Sequence, residues 1–333
     1  MLHVELADTD ILRTGSRLIW MLIVAMGAAV AVTFCAARLS VTWEFFPTVP
    51  AAIAVCAAVA LFYRFFRPDP AIFYAAELIA QIMLISLLGG LLAYGGAALG
   101  LPYRDAELLA ADRWLGFDLQ WYLGFVDSQP WLARISLTAY VTMLWQATIV
   151  FFALLLTGNV ERLQAFAISL IVSLAITIAI FALFPALGWY GYLHVDRAEF
   201  PHLSFIAHFV SHLEDVRSGT LRAIPVDDLR GIISFPSYHA AVALIAVWAL
   251  WPVRFFRWPV LILNTLMIAS TPIEGTHYLV DVIGGLAVSA CTLLAVSFIR
   301  RAIRSRCAPR ALVGPVSECL KTATDGAGGR RAA

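Results

Sequence analysis

Two histidines, each at the entrance to an apolar segment, are the residues best suited to chemistry. His239 ends the run SFPSYH, and His277 opens the run HYLVD, which closes at Asp281. The apolar segments 236–252 and 256–271 are predicted to form a helical hairpin between the two sites. Because a hairpin returns the chain to the end from which it started, both histidines are expected at the same end of the bundle.

The four-residue spacing of His277 and Asp281 suits a nucleophile and the group that orients it. On a helix, residues four apart are neighbours on one face, with Cβ atoms about 5 to 6 Å apart. A carboxylate bonded to one ring nitrogen fixes the imidazole tautomer and makes the other nitrogen a better nucleophile. The same two residues could instead be a packing pair or two ligands of a metal. A metal needs further ligands, and the other histidine pair at this spacing, His208 and His212, lies in an amphipathic stretch, so we predict no metal.

The SFPSYH run has the features of a helix start that binds an anion. Ser237 or Ser234 is a suitable N-cap, and Pro236 suits the first helical turn. Backbone N–H groups and the positive end of the helix dipole would then lie beside His239. A lone histidine at such a position is commonly only an interfacial residue. The occurrence of both histidine sites together is more specific, and it predicts an anion site with a proton donor attached.

The composition is that of a membrane protein. The chain has 333 residues, of which 61% are apolar and 14% charged, with a mean hydropathy of +0.84. A soluble domain has roughly 45 to 50% apolar and about 25% charged residues. The formal net charge of +1 leaves no basic face for nucleic acid. The five cysteines form no CxxC pair, which argues against disulfides and a metal cluster.

Eight apolar segments predict an all-α polytopic membrane protein, since roughly 20 residues span a hydrocarbon core. They cover residues 17–38, 48–66, 71–99, 130–156, 160–185, 236–252, 256–271 and 277–300. We divide the chain into a two-helix extension (1–70), a six-helix catalytic core (71–300) and a disordered tail (301–333). Within the core, residues 101–129 are predicted to form one or two amphipathic helices at the membrane interface, and residues 186–235 form a long loop.

The distribution of Lys and Arg predicts the orientation in the membrane. Most of these residues fall on the side of the N-terminus and flank the short loops there. We therefore expect an integral protein of a bacterial inner membrane with both termini in the cytoplasm. His239 and His277 would then face the periplasm.

The runs SFPSYH and GTHYLVDVIGG resemble the second and third signature motifs of the type 2 phosphatidic acid phosphatase superfamily. The resemblance is to the branch that contains inositol phosphorylceramide synthase, and it covers roughly residues 71–300. It implies that His277 attacks phosphorus and becomes a phosphohistidine, that Asp281 orients His277, and that His239 protonates the leaving group. It also implies that Ser237 binds phosphate and that no metal or other cofactor is required.

The chain departs from the motifs of that superfamily in its phosphate-binding cations. The third motif usually opens with Ser-Arg, roughly six or seven residues before the histidine, where this chain has Ser270 and Thr271. The usual first motif, a lysine followed by Arg-Pro, is also absent. Because the transition state of phosphoryl transfer is highly charged, other cations should stand in. We expect them just ahead of SFPSYH, at Arg222 first, then Arg217, with Arg230 as a third candidate.

The predicted function is phosphoryl transfer on a lipid phosphate by a metal-independent membrane enzyme. If the acceptor is water, the enzyme is a lipid phosphatase, and if it is a lipid alcohol, it is a phosphotransferase of the sphingolipid-synthase kind. The expected partners are the lipid-phosphate substrate and the bilayer, with no nucleic acid and no predicted oligomeric state. The alternatives are a transporter of a phosphorylated lipid or small anion, which would use the histidines for proton coupling, and an inactive lipid-binding relative.

Overall fold

The computed structural model describes residues 6–43, 48–206 and 209–307. The chain divides into two compact units, Met1–Ser297 and Phe298–Ala333, and all the candidate site residues belong to the first. His208 and most of the predicted tail lie outside the described residues. The first residues of that tail continue the last helix as far as Cys307.

The described chain is built almost entirely of α-helices. In chain order these are α1 (Leu6–Ala37), α2 (Thr48–Phe65), α3 (Pro70–Ala97), α4 (Asp105–Trp114), α5 (Leu119–Asp127), α6 (Pro130–Val141), α7 (Met143–Leu156), α8 (Val160–Leu183), α9 (Trp189–Leu193), α10 (Phe209–Ser218), α11 (Tyr238–Leu250), α12 (Arg257–Glu274) and α13 (Leu279–Cys307), with short strands β1 (Ser40–Thr42) and β2 (Ala223–Pro225). Each of the eight predicted apolar segments contains a helix, and the fourth is divided between α6 and α7.

Five of the described helices are long and apolar enough to cross a membrane, judged by length and composition. They are the apolar parts of α1, α2, α3, α8 and α13, and the bent pair of α6 and α7 would make a sixth. Helix α11 is apolar but has only 13 residues, fewer than the roughly 20 that a span needs. The prediction of an all-α polytopic membrane protein is confirmed, although five or six candidate spans are found among the described helices and the sequence predicted about eight. The short α11 carries His239 at its start.

The two long segments outside the apolar helices are folded. Residues 101–129 contain the amphipathic helices α4 and α5, as predicted, and the large side chains of Trp114 and Trp121 are exposed. The long loop 186–235 contains α9, α10 and β2. Strand β2 pairs in parallel with β1, with Val41 opposite Ile224.

The buried apolar side chains form two clusters, and the site lies where they meet. The larger cluster joins α1, α3, α8 and α11. The smaller cluster joins α4, α5 and α9 with two residues that flank the predicted nucleophile, Ile273 and Tyr278. The segment between α12 and α13 is therefore packed directly against the amphipathic helices.

Candidate active site

His277 and Asp281 are in contact at the start of α13. The Nδ1 atom of His277 lies 3.1 Å from Oδ2 of Asp281, and both residues are buried. The same Oδ2 accepts a hydrogen bond of 3.0 Å from the backbone N–H of Tyr278. The sequence predicted that His277 would be the first residue of this helix, but the helix begins at Leu279. The contact therefore forms because Asp281, in the first helical turn, reaches back to the residues before the helix, as a capping carboxylate does.

His239 lies in the first turn of α11, directly after the capping serine. The Ser237 side chain accepts from the N–H of Ala240 at 3.5 Å, so the predicted N-cap is confirmed. Pro236 precedes this cap and is not in the first turn, which corrects the predicted helix start. The ring of Tyr140, from α6, stacks on the His239 ring with centroids 4.0 Å apart, and its hydroxyl lies 3.3 Å from Nδ1. Tyr140 therefore fixes the orientation of the imidazole.

The two histidine sites are joined through the backbone and through a pair of glycines. The N–H of Ser237 donates to the carbonyl oxygen of Asp281 at 2.9 Å. A Cβ atom at Gly285 would overlap the carbonyl oxygen of Ser237, and one at Gly284 would lie 3.1 Å from Cβ of Pro236. The SFPSYH loop therefore packs on α13 at a distance that only glycine allows.

Both histidines lie in the wall of one chamber with a volume of about 710 Å³. Most of the chamber wall is apolar, and α3 and α8 contribute many of its residues, while His239, His277, Tyr140 and Arg230 are among the polar ones. The apolar residues from the two helices include Ile82, Ile85, Gly89, Ala93, Leu170 and Leu174. The volume lies within the roughly 300 to 1,000 Å³ of small-molecule sites in proteins. The chamber suits a molecule with an anionic end and an apolar body.

Of the three arginines predicted to bind phosphate, Arg230 lines the same chamber as the two histidines. It is bonded to Asp228 through Nε at 3.1 Å and Nη2 at 2.9 Å. Arg222 donates to the carbonyl oxygen of Ala37 at 2.8 Å. Arg217 donates to the carbonyl oxygen of Leu101 at 2.6 Å, and its guanidinium stacks over a tyrosine ring. Neither Arg217 nor Arg222 is among the residues that line the chamber.

The carboxylate that holds Arg230 is itself held by a histidine of α10. Nε2 of His212 lies 3.5 Å from Oδ2 of Asp228, and Nδ1 lies 2.8 Å from the hydroxyl of Tyr94. Burial lowers the pKa of His212, and the charge of Arg230 lowers it further. His212 therefore acts as a neutral hydrogen-bonding group between Tyr94 and the Asp228–Arg230 pair. His208, four residues before it in the sequence, lies outside the described residues.

The position usually taken by the arginine of the third motif contributes no charge here. Thr271 is buried in α12, and its hydroxyl donates to the carbonyl oxygen of Met267 at 2.8 Å. The hydroxyl of Ser270 bonds the same oxygen at 2.8 Å. Both side chains are thus turned onto their own helix. Within the ranges that the structure describes, no three His, Cys, Asp or Glu side chains gather as metal ligands would.

Two buried carboxylates of α4 contact the HYLVD run, and sequence reasoning missed them. Asp112 accepts from the N–H groups of Leu279 and Val280, each at 2.8 Å. Asp105 accepts from the hydroxyl of Tyr278 at 3.1 Å. Burial raises the pKa of both carboxyls, and the two N–H donors partly offset this effect on the pKa of Asp112. The sequence feature that could have identified them is their spacing of seven residues, which puts both aspartates on the apolar face of an amphipathic helix.

Trp189, at the start of α9, holds the chain just before the predicted nucleophile. Its indole Nε1 donates to the carbonyl oxygen of Pro272 at 2.6 Å. Its backbone N–H donates to the carbonyl oxygen of Thr276 at 3.1 Å. Gly188 precedes it with φ of +79°, and a Cβ there would lie 2.6 Å from the Thr276 oxygen. The long loop therefore supplies part of the frame around His277.

Comparison with known proteins identifies the family to which these motifs belong. No curated protein and no solved structure is detectably similar to the chain. The family model of the PAP2 superfamily matches residues 106–295. The match covers more than half of the chain and includes both histidine sites, Tyr140, Asp112 and Arg230. The chain therefore belongs to the PAP2 superfamily and is a helical membrane protein with phosphatase-type activity on phosphate substrates.

Proposed function

We propose that the chain removes or transfers the phosphoryl group of a lipid phosphate through a phosphohistidine at His277. The observation that carries the proposal is the chamber of about 710 Å³, which has both histidines in a wall that is otherwise mostly apolar. An apolar chamber of this kind suits the tail of a lipid. Its polar residues suit the phosphate.

The hydrogen bond between His277 and Asp281 supports the role of His277 as the nucleophile. With its proton on Nδ1, the imidazole donates to Asp281 at 3.1 Å and keeps a lone pair on Nε2. Nε2 attacks phosphorus, the bond from phosphorus to the lipid oxygen breaks, and His239 gives its proton to that oxygen. An acceptor hydroxyl then gives its proton back to His239 and attacks phosphorus, and the bond from phosphorus to Nε2 of His277 breaks.

The electrostatics at the two helix starts favour the start of α11 as the phosphate site. At α13, the N–H groups of Leu279 and Val280 already bind the carboxylate of Asp112, and Asp281 adds a second carboxylate. An anion would be repelled there. At α11 the cap is the neutral Ser237, so the positive end of the helix dipole is available to a phosphate. Arg230, in the wall of the same chamber, supplies the cation.

The acceptor, the branch and the orientation are further parts of the proposal. The residues of the HYLVD and SFPSYH runs support membership of the branch that contains inositol phosphorylceramide synthase. In that branch the acceptor is a lipid alcohol rather than water. The bilayer and a lipid phosphate are the proposed partners. The Lys and Arg distribution supports a bacterial inner membrane, cytoplasmic termini and a site that faces the periplasm.

The test uses purified protein in detergent with phosphatidic acid labelled in its phosphate, with and without a ceramide or diacylglycerol acceptor. We expect the protein to carry acid-labile phosphate during turnover and to release or transfer the label in the presence of chelator. His277→Ala should abolish both signals, and His239→Ala should slow turnover roughly 10²- to 10⁴-fold, as loss of a general acid does.

Three outcomes would contradict parts of the proposal. Equal turnover by His277→Ala and wild type would rule out the phosphohistidine. Loss of activity to chelator alone would show that a metal is needed. Binding of the lipid without turnover by the wild type would point to the inactive or transporting relative.

A further inference from the structure

Helix α4 binds the three residues that directly follow His277. Asp105 contacts Tyr278, and Asp112 contacts Leu279 and Val280, through three hydrogen bonds of 2.8 to 3.1 Å. Both aspartates are 1% exposed. Their bonds therefore exchange little with water, and they connect a peripheral amphipathic helix to the segment that carries the predicted nucleophile.

We propose that Asp112 is a positioning residue for phosphoryl transfer, which holds the start of α13 so that His277 and Asp281 stay in register for attack. The inference rests on the function proposed above, because it assigns Asp112 a role in the step that His277 performs. It also gives a function to the amphipathic segment 101–129.

The geometry of the two Asp112 bonds supports positioning rather than simple adhesion. The two carboxylate oxygens each take one of two consecutive N–H groups, at the helix end where such groups have no partner within the helix. Two bonds from one planar group fix both the place and the direction of the first helical turn. Hydrogen bonds to an ionised acceptor are also roughly twice as strong as neutral ones.

The position of these bonds along the chain links them to the chemistry. Leu279 lies two residues after His277, and Val280 directly precedes Asp281. The Nδ1 to Oδ2 bond between His277 and Asp281 therefore spans the two N–H groups that Asp112 holds. A displacement of about 1 Å at a reacting group can cost roughly 100-fold in rate. Movement of this turn would change the direction of attack without altering the chamber that binds the substrate.

Asp105 adds a second anchor from the same face of α4. Its carboxylate also accepts from the N–H of Leu187 at 3.0 Å, so it joins α4, the long loop and the hydroxyl of Tyr278. The raised pKa of the buried Tyr278 hydroxyl keeps that hydroxyl protonated and able to donate. Tyr278→Phe removes this single bond and leaves the packing of the ring in place.

The experiment compares Asp112→Ala and Asp112→Asn with Asp118→Ala in the labelled-lipid assay. Asp118 is the matched control, since it is a capping carboxylate of the same amphipathic segment but accepts only from Trp121 of its own helix in the structure. We expect Asp112→Ala to lower kcat about 100-fold with KM within about twofold of wild type, and phosphohistidine to form more slowly. Asp112→Asn, which keeps one acceptor oxygen, should restore part of kcat, and Asp118→Ala should match wild type.

A purely structural role for Asp112 predicts a different pattern. The amount of folded protein would fall, while kcat per folded molecule and the rate of phosphohistidine formation would stay the same, and that result would overturn the inference. If Asp112→Ala does not fold, Asp112→Asn and Tyr278→Phe decide the question, because wild-type kcat in both would also overturn it. A wild-type protein that never forms phosphohistidine would contradict the proposed function instead, so the two failures are distinguishable.

Discussion

At the scale of the residue, a loop arginine that Asp228 holds in place supplies a cation to the wall of the chamber. Asp228 binds Nε and Nη2 of Arg230, and His212 and Tyr94 extend the network behind it. The side chain is thus held in one direction, and little conformational entropy remains to be lost on binding phosphate. This arrangement offers a substitute for the arginine that Thr271 replaces.

We predict that Arg230→Ala raises KM and lowers kcat more than Arg222→Ala does. A hydrogen bond to a charged group contributes about 1.5 to 3 kcal/mol, so the loss in kcat/KM should be roughly 10- to 100-fold. Arg222 bonds the carbonyl of Ala37, at the end of α1, and its loss should act mainly on stability. Steady-state kinetics with the lipid phosphate measure both effects.

Arg230→Lys serves as the conservative control and should recover part of the activity, because it keeps the charge without the paired geometry. If Arg222→Ala proves the more damaging change in kcat/KM, the phosphate-binding role returns to Arg222, as the sequence alone predicted.

At the scale of the element, the proposed reaction depends on how closely α11 and α13 start beside each other. Helix α11 carries His239, and α13 begins two residues after His277. The starts of the two helices are joined by the hydrogen bond from the backbone N–H of Ser237 to the carbonyl oxygen of Asp281. Gly285 allows that approach, since any side chain there would meet the carbonyl of Ser237. The amphipathic helices then hold the same region from the other side through Asp105 and Asp112.

We predict that Gly285→Ala lowers kcat at least tenfold, because the SFPSYH loop must shift away from α13 and take His239 with it. The estimate follows from the roughly 100-fold cost of a 1 Å misplacement. Overpacking of this kind also destabilises a protein, by about 1 to 3 kcal/mol. Turnover and thermal unfolding in detergent measure the two effects.

The control for this substitution is Gly124→Ala in α5, where a Cβ would meet no atom within 4 Å. It should leave kcat unchanged and stabilise the helix slightly, since alanine is the better helix former. Wild-type kcat in Gly285→Ala would show that the close approach is not needed for the reaction.

At the scale of the whole molecule, two of the candidate membrane helices, α3 and α8, also line the chamber proposed to hold the substrate. Ile85 of α3 is buried and lines the chamber. These apolar walls would select a lipid tail by its length and shape. The phosphate would be bound separately by the polar residues of the chamber, which include Arg230 and the two histidines.

We predict that Ile85→Trp reduces turnover of a long-chain lipid phosphate at least tenfold and has little effect on a short, water-soluble phosphate ester. The physical reason is that the larger side chain fills chamber volume that a long tail needs, and overpacking costs about 1 to 3 kcal/mol, or roughly 5- to 100-fold. The ratio of kcat/KM for the two substrates is the measurement.

Ile149→Trp is the matched control for the chamber, because Ile149 lies on α7 with 46% of its surface exposed. It adds the same volume outside the chamber and should leave the substrate ratio unchanged. An unchanged ratio in Ile85→Trp as well would contradict the assignment of the chamber to the lipid tail.

The sequence by itself determined the features that depend on local chemistry. Hydrophobic runs identified the helical segments, because an apolar run of suitable length is stable as a helix in a bilayer. The contact of His277 with Asp281 was expected from a spacing of four, although it forms through a carboxylate that reaches back to the residues before the helix, and the cap at Ser237 followed from side-chain chemistry. The amphipathic helices α4 and α5 followed from their composition. All of these interactions join residues within a few positions of one another.

Only the tertiary structure decided which distant residues complete the site. Tyr140 reaches His239 across 99 residues, and Asp112 reaches Leu279 across 167. The choice of Arg230 over Arg222 for the chamber wall depends on how the long loop folds between α3, α10 and α11. Periodicity and spacing do not predict such contacts. Residues far apart in the sequence meet because their helices pack together, and the length of chain between two residues does not fix the distance between them. That is why the pair of His277 and Asp281 was visible in the sequence and the residues that hold it were not.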